Sequence, residues 1–166
     1  MRHLILAAVL ALLPLVACGS SAVSPEDALT QGYEALNAGD GARALPLLES
    51  AAASLAADPS APRWKEIQIA LVEAHAQVDP AAARDRFLRL AREHRAQIQP
   101  RDFATVGGKL FAADASIALD VVDAGRREFG HEGDAQLTAL IEDIKRRGNE
   151  DPALKSKLAG LGYVGD

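Results

Sequence analysis

Apolar residues recur along the chain at the spacing of amphipathic helices, and capping residues, prolines and glycines separate the segments. Ser24 and Pro25 predict the start of a first helix, since serine caps a helix and proline fits its first turn. Gly39 predicts where that helix ends. Further helices are expected at about 41–57, 62–78, 80–97, 100–113, 115–130 and 134–147, and a short helical turn is expected after 151–152.

The second, fourth and sixth predicted helices share one pattern. Asp40, Asp79 and Asp114 precede them, at spacings of 39 and 35 residues, and each aspartate is a predicted N-cap. Small and large residues then alternate on one face, so that helices approach closely at the small positions and the large ones fill the space between. The aligned sets are Ala44, Ala83 and Ala118; Leu48, Phe87 and Val122; Ala51, Leu90 and Gly125; and Leu55, His94 and Phe129.

The first copy of this pattern resembles the tetratricopeptide repeat. Gly32 lies where that family has a glycine in its first helix. The stretch "NAGDGARAL" at 37–45 resembles the family's turn, with Gly39, Asp40 and Ala44 at matching positions. The family builds arrays of helix–turn–helix units of about 34 residues. The resemblance implies a domain of stacked helical hairpins with a groove for a peptide or protein.

The later copies depart from the family pattern. Leu71 and Val106 are aligned with the first-helix glycine, and the repeat lengths differ from the family's. The resemblance covers residues 25–130, and the helix at 134–147 has one apolar side, which suits the end of an array. We therefore expect an all-α fold, a short array of antiparallel hairpins with a C-terminal capping helix, over residues 25–148. A non-repeating helical bundle is the alternative.

Composition agrees with an all-α fold and indicates which class of partner the chain does not suit. The chain has 166 residues, of which only 4% are aromatic and 25% are charged, and its formal net charge is −5. A shortage of aromatic residues argues against a β-sandwich. An acidic chain is poorly suited to nucleic acid, so no nucleic-acid partner is expected.

The N-terminus reads as an export signal. Arg2 precedes an apolar run from Leu4 to Ala17, which at 14 residues is shorter than the roughly 20 that span a bilayer. Leu15-Val16-Ala17-Cys18 then resembles the lipobox of bacterial lipoproteins. The resemblance implies cleavage after Ala17 and acylation of Cys18. An ordinary signal peptide and a buried core cysteine are the alternatives.

The expected order along the chain is a signal peptide at 1–17, a lipidated tether at 18–24, the repeat domain, and a tail at 149–166. Gly19 stands where an aspartate would, in enteric bacteria, signal retention in the inner membrane. By that resemblance the protein is expected on the periplasmic side of the outer membrane.

No residue pattern indicates catalysis, a cofactor or a metal. His75 and His94 have neither HxxxH nor HExxH spacing, and the single cysteine is assigned to lipid. "VGGKL" at 106–110 lacks the other residues of a phosphate loop, and its glycines indicate close packing or a kink.

Candidate partner-binding residues lie on the fourth helix and at two other places. The fourth helix carries an arginine stripe that suits an acidic partner or phospholipid head groups, with a solvated face balanced by acids as the alternative. Trp64 is either a packing residue or an exposed anchor, and Tyr163 belongs to a tail that either docks on the last helices or is offered to a partner. The fourth helix carries Arg84, Arg86, Arg89, Arg92 and Arg95, and steps of three residues place the last four on the stripe.

Together these features predict a cell-envelope lipoprotein that is not an enzyme. It would bind an unidentified envelope protein or peptide, as a scaffold or adaptor, through its helical-repeat groove. The alternatives are a cell-wall-acting enzyme or its regulator, and a purely structural envelope protein.

Overall fold

In the computed structural model, residues 23–130 and 135–164 are described, and within them the regular structure is entirely helical. This confirms the predicted fold class. Cys18 and the predicted signal peptide lie outside the described residues. The helices are α1 Pro25–Asn37, α2 Gly41–Leu55, α3 Trp64–Val78, α4 Pro80–Glu93, α5 Pro100–Ala113, α6 Ala115–Phe129, α7 Ala135–Gly148 and α8 Pro152–Gly160.

Neighbouring helices form a stacked array. Each helix contacts the next along the chain, and short connections make such neighbours antiparallel. The first helices of successive hairpins also contact one another, α1 with α3, α3 with α5 and α5 with α7. Among the second helices, α4 contacts α6, and α6 contacts α8. The predicted hairpin array is thus confirmed, and none of the described helices is long and apolar enough to cross a membrane.

Aspartate caps begin every second helix. The Asp40 carboxylate accepts from the Arg43 backbone N–H at 3.0 Å, and the Asp114 carboxylate accepts from that of Ile117 at 2.9 Å. Asp79 caps α4 in the same way. A fourth member, Asp151, caps α8. The series of aspartate caps therefore includes α8, and the turn expected after Asp151 is a helix of 9 residues that packs against α7.

The aligned face of the second helices is the core of the array. Every alanine and every large residue of the first two aligned sets is fully buried. Phe87 of α4 contacts the Phe103 ring of α5 edge-on, with 4.9 Å between ring centroids. This packing joins the second hairpin to the third.

Two glycines permit close approach within hairpins. A Cβ on Gly32 would lie 2.8 Å from Leu48 Cδ2, and one on Gly107 would lie 3.0 Å from Val122 Cγ2. Leu48 and Val122 occupy equivalent positions in the repeat. Gly107 is therefore the counterpart of Gly32, a position to which the alignment assigns Val106. Residues 38–40 separate α1 from α2 but Asp114 alone separates α5 from α6, so counting back from the aspartate misplaces the glycine.

Candidate functional site

A groove runs between α4 and α6, and we call it the α4–α6 groove. Its volume is about 710 Å³. Phe103 and Ile98 form its floor, and both are almost wholly buried. Partly buried apolar side chains of α4 and α6 form its walls: Leu88, Ala91, Ala124 and Phe129.

Aromatic packing holds the floor in place. The Phe103 ring contacts Phe87 on one side and Phe129 on the other, where the ring centroids are 5.8 Å apart. Gly125 of α6 lets this ring fit, because a Cβ there would lie 2.8 Å from Phe103 Cγ. The groove floor is therefore an apolar surface packed against the core.

The arginines of α4 differ in whether an acid of the chain pairs with them. Arg84 pairs with Asp120 of α6 at 3.1 Å, and Arg95 pairs with Glu128 of α6. These ion pairs tie α4 to α6 near both ends of the groove. By contrast, Arg89 and Arg92 are exposed on the groove rim, and neither forms an ion pair with any acid in residues 23–130 or 135–164.

Arg86 is half-buried. Its guanidinium donates to Gln68 Oε1 at 3.1 Å, and within the described part of the chain it has no ion pair. Burial lowers the pKa of Arg86, and the positive charge of Arg89 lowers it further. Arg86 and Arg89 also line a smaller cavity of about 370 Å³ beside α3. Arg89 thus stands between the two cavities.

Trp64 lies inside the array. It is 4% exposed, and its ring contacts His94 edge-on with 4.6 Å between centroids. His94 is itself partly buried, as its position in the repeat predicts. Of the two roles considered for Trp64, the structure supports packing, because an exposed anchor would present its indole ring to solvent.

We expect the fluorescence of Trp64 to report this burial. Emission from the folded protein should be blue-shifted and weakly quenched by acrylamide, and urea should reverse both properties because it exposes the indole. Quenching as strong in the folded protein as in urea would show that Trp64 is an exposed anchor instead.

The C-terminal segment docks on α6. The Tyr163 hydroxyl donates to Asp123 Oδ1 at 3.2 Å, and the Arg126 guanidinium lies 4.8 Å from the centre of the Tyr163 ring. Gly162, with φ of 77°, turns the chain after α8, and the Tyr163 N–H bonds back to the Leu158 carbonyl. The tail through Val164 is thus seated on the array rather than extended into solvent.

A second candidate surface lies on the first helices, but its charges pair with one another. It is a cavity of about 510 Å³ between α1, α3 and α5. Tyr33 donates to Glu66 at 2.9 Å, and Lys65 pairs with Asp102 at 3.2 Å. This surface therefore leaves less unmatched charge for a partner than the α4–α6 groove.

Both tyrosines should ionise at a higher pH in the folded protein than in the unfolded chain. Burial raises the pKa of Tyr33 and of Tyr163 above the ordinary value of 10.0, and Glu66 and Asp123 respectively raise them further. Below pH 10 both tyrosines are neutral in the folded and in the unfolded protein, so the stabilisation from their burial and hydrogen bonds is fully present. Above pH 10 the unfolded chain ionises first, so stability falls until the folded pKa is passed.

Ultraviolet titration of tyrosinate tests this order. We expect the folded protein to titrate above its urea-unfolded form, and Tyr33→Phe to remove the most shifted component. Coincident folded and unfolded titrations would contradict the burial and hydrogen bonding of both hydroxyls.

Among the described residues there is no group of three or more His, Cys, Asp and Glu side chains that could hold a metal ion. Comparison with known proteins gives no match to any family model, to a curated protein or to a solved structure. The fold therefore defines a class of architecture, which is an all-α array of helical hairpins.

Proposed function

We propose that this chain is a lipid-anchored protein of the bacterial outer membrane whose periplasmic helical array binds an envelope protein or peptide. The α4–α6 groove is the observation that carries this proposal. It combines a recessed apolar floor with arginines on the rim, and protein interfaces combine an apolar centre with a polar edge in the same way. Aromatic and arginine side chains dominate binding energy at such interfaces.

The tetratricopeptide resemblance supports the same function. Repeat arrays bury their core between neighbours and leave long surfaces for partners. In this chain the aligned alanines are buried in that core, and so are the large residues Leu48, Phe87 and Val122. Leu88, Ala91 and Ala124 of the groove wall belong to none of the aligned sets, which agrees with a surface that has a separate role.

The anchor is proposed from Leu15-Val16-Ala17-Cys18. Each acyl chain contributes about 0.8 kcal/mol for every buried methylene, and two or more chains give stable attachment. A short stretch rich in glycine and serine between Cys18 and Ser24 would place α1 close to the membrane surface.

Mass spectrometry and affinity capture test the two parts separately. The membrane-extracted protein should begin at an acylated Cys18, and Cys18→Ala should release it from membranes. Capture from detergent-solubilised envelopes should recover one discrete partner, and Leu88→Glu, which places a charge in the groove wall, should abolish recovery. Val78→Glu is the matched control, since Val78 is exposed and outside the groove.

Each result has an opposite. An unmodified Cys18 in the membrane-extracted protein would overturn the anchor. Equal recovery by the wild type and Leu88→Glu would remove the groove from the function. No partner from a folded and acylated protein would favour a structural or cell-wall-acting role instead.

A further inference from the structure

We infer that the α4–α6 groove takes an acidic amphipathic segment of the partner protein, with apolar side chains on the floor and carboxylates on the arginines of α4. This inference rests on the proposed function and names the chemistry of the partner. The recognition residues on α4 are Arg86, Arg89 and Arg92.

The charge distribution on α4 is the first argument. The chain has 23 acidic residues against 18 basic ones, so acids are plentiful. Even so, none in the described residues forms an ion pair with Arg86, Arg89 or Arg92. Arg86 is half-buried as well, and a buried charge is costly unless it is paired. Glu49 attracts Arg86 without forming an ion pair with it, so a carboxylate from a partner would supply the direct pairing that the three arginines lack.

The geometry of the two cavities is the second argument. Arg89 borders both the groove and the smaller cavity that contains Arg86. Arg89 and Arg92 therefore lie on the edge of the recessed apolar surface, and Arg86 lies in the smaller cavity that adjoins it. A segment with bulky apolar residues on one side and acids on the other matches this arrangement, because its two faces meet floor and edge at once.

The depth of the floor distinguishes a protein segment from a bilayer. Ile98 and Phe103 are each 3% exposed and lie below the arginines, so a flat lipid surface would contact the rim alone. A narrow segment can enter between α4 and α6 and bury its side chains.

Selection from a display library of random 12-residue peptides tests the inference on the folded, unacylated Cys18→Ala protein. The matched variants exchange the same number of charges. Arg89→Glu with Arg92→Glu changes the rim, whereas Arg43→Glu with Arg147→Glu changes exposed arginines of α2 and α7. Circular dichroism confirms that each double variant is folded. Vesicles of phosphatidylglycerol serve as the lipid probe.

We expect enriched peptides to combine Asp or Glu with Leu, Phe or Trp. Their affinity should fall at least about tenfold in the rim variant and remain unchanged in the control variant. Lysine in place of the acids should abolish binding.

Three outcomes would overturn the inference. The first is enrichment of peptides without acids, and the second is equal affinity of the enriched peptides for both double variants. The third is failure to enrich any peptide, whether the vesicles bind through Arg89 and Arg92 or do not bind. If these occur while envelope capture still recovers one discrete partner, the proposed binding function stands and only the partner chemistry assigned here fails.

Discussion

Replacing Phe87 with alanine should lower the free energy of unfolding by about 3–5 kcal/mol, the usual cost of truncating a buried phenylalanine. Phe87 is fully buried and contacts the Phe103 ring at 4.9 Å between centroids. Its removal leaves a cavity where the second hairpin meets the third. Urea unfolding followed by circular dichroism measures the change.

Phe111→Ala is the matched control for this substitution. Phe111 lies on α5 and is only partly buried, so the same truncation should cost clearly less. The predicted order of stability is wild type, then Phe111→Ala, then Phe87→Ala. A loss of less than about 1 kcal/mol for Phe87→Ala would mean that its ring does not fill the interface between hairpins.

The sequence predicted this core position because the pattern lies within single helices. Asp79, Ala83 and Phe87 are counted along one continuous helix from its cap, and helical geometry fixes which of them face the same way. Across a connection this counting fails. Loop lengths differ between hairpins, which is why Gly107 rather than Val106 lies against Val122.

The α4–α6 groove was predictable only in part, since it depends on contacts between helices. The arginine stripe can be recognised from the sequence of α4 by itself. The floor comes from Phe103 and Ile98, whose approach to α4 no periodicity specifies. Arg84 and Arg95 each pair with an acid on α6, so sequence spacing does not reveal which arginines of α4 are paired between helices.

The tail illustrates the same limit. The sequence predicted a short helical turn after Asp151 from its capping side chain, and the structure has a helix there. The contact of Tyr163 with Asp123 joins residues 40 positions apart, so the sequence left docking of the tail and its presentation to a partner as alternatives. Local capping chemistry is readable from the chain, whereas the surface that receives the tail forms only in the folded array.

Gly41→Ala should destabilise the protein by about 1–3 kcal/mol, the usual cost of overpacking. Gly41 is the first residue of α2, and a Cβ there would lie 2.5 Å from the Ala74 carbonyl oxygen and 2.7 Å from Gln77 Cβ. The Ala74 oxygen belongs to the α3 backbone, so relief requires the helix itself to shift. That shift would also strain the bond from Gln77 Nε2 to the Leu36 carbonyl, 3.0 Å long.

Gly108→Ala provides the contrasting measurement, because the chemical change is identical and the surroundings are open. Gly108 is exposed within α5, and a Cβ there would meet nothing within 4 Å. Alanine is favoured over glycine inside a helix by roughly 0.5–1 kcal/mol, so this variant should be more stable than the wild type. Opposite signs for the two substitutions would locate the effect in the contact of α2 with α3. If Gly41→Ala also stabilised the protein, α2 and α3 would have to lie further apart than the structure places them.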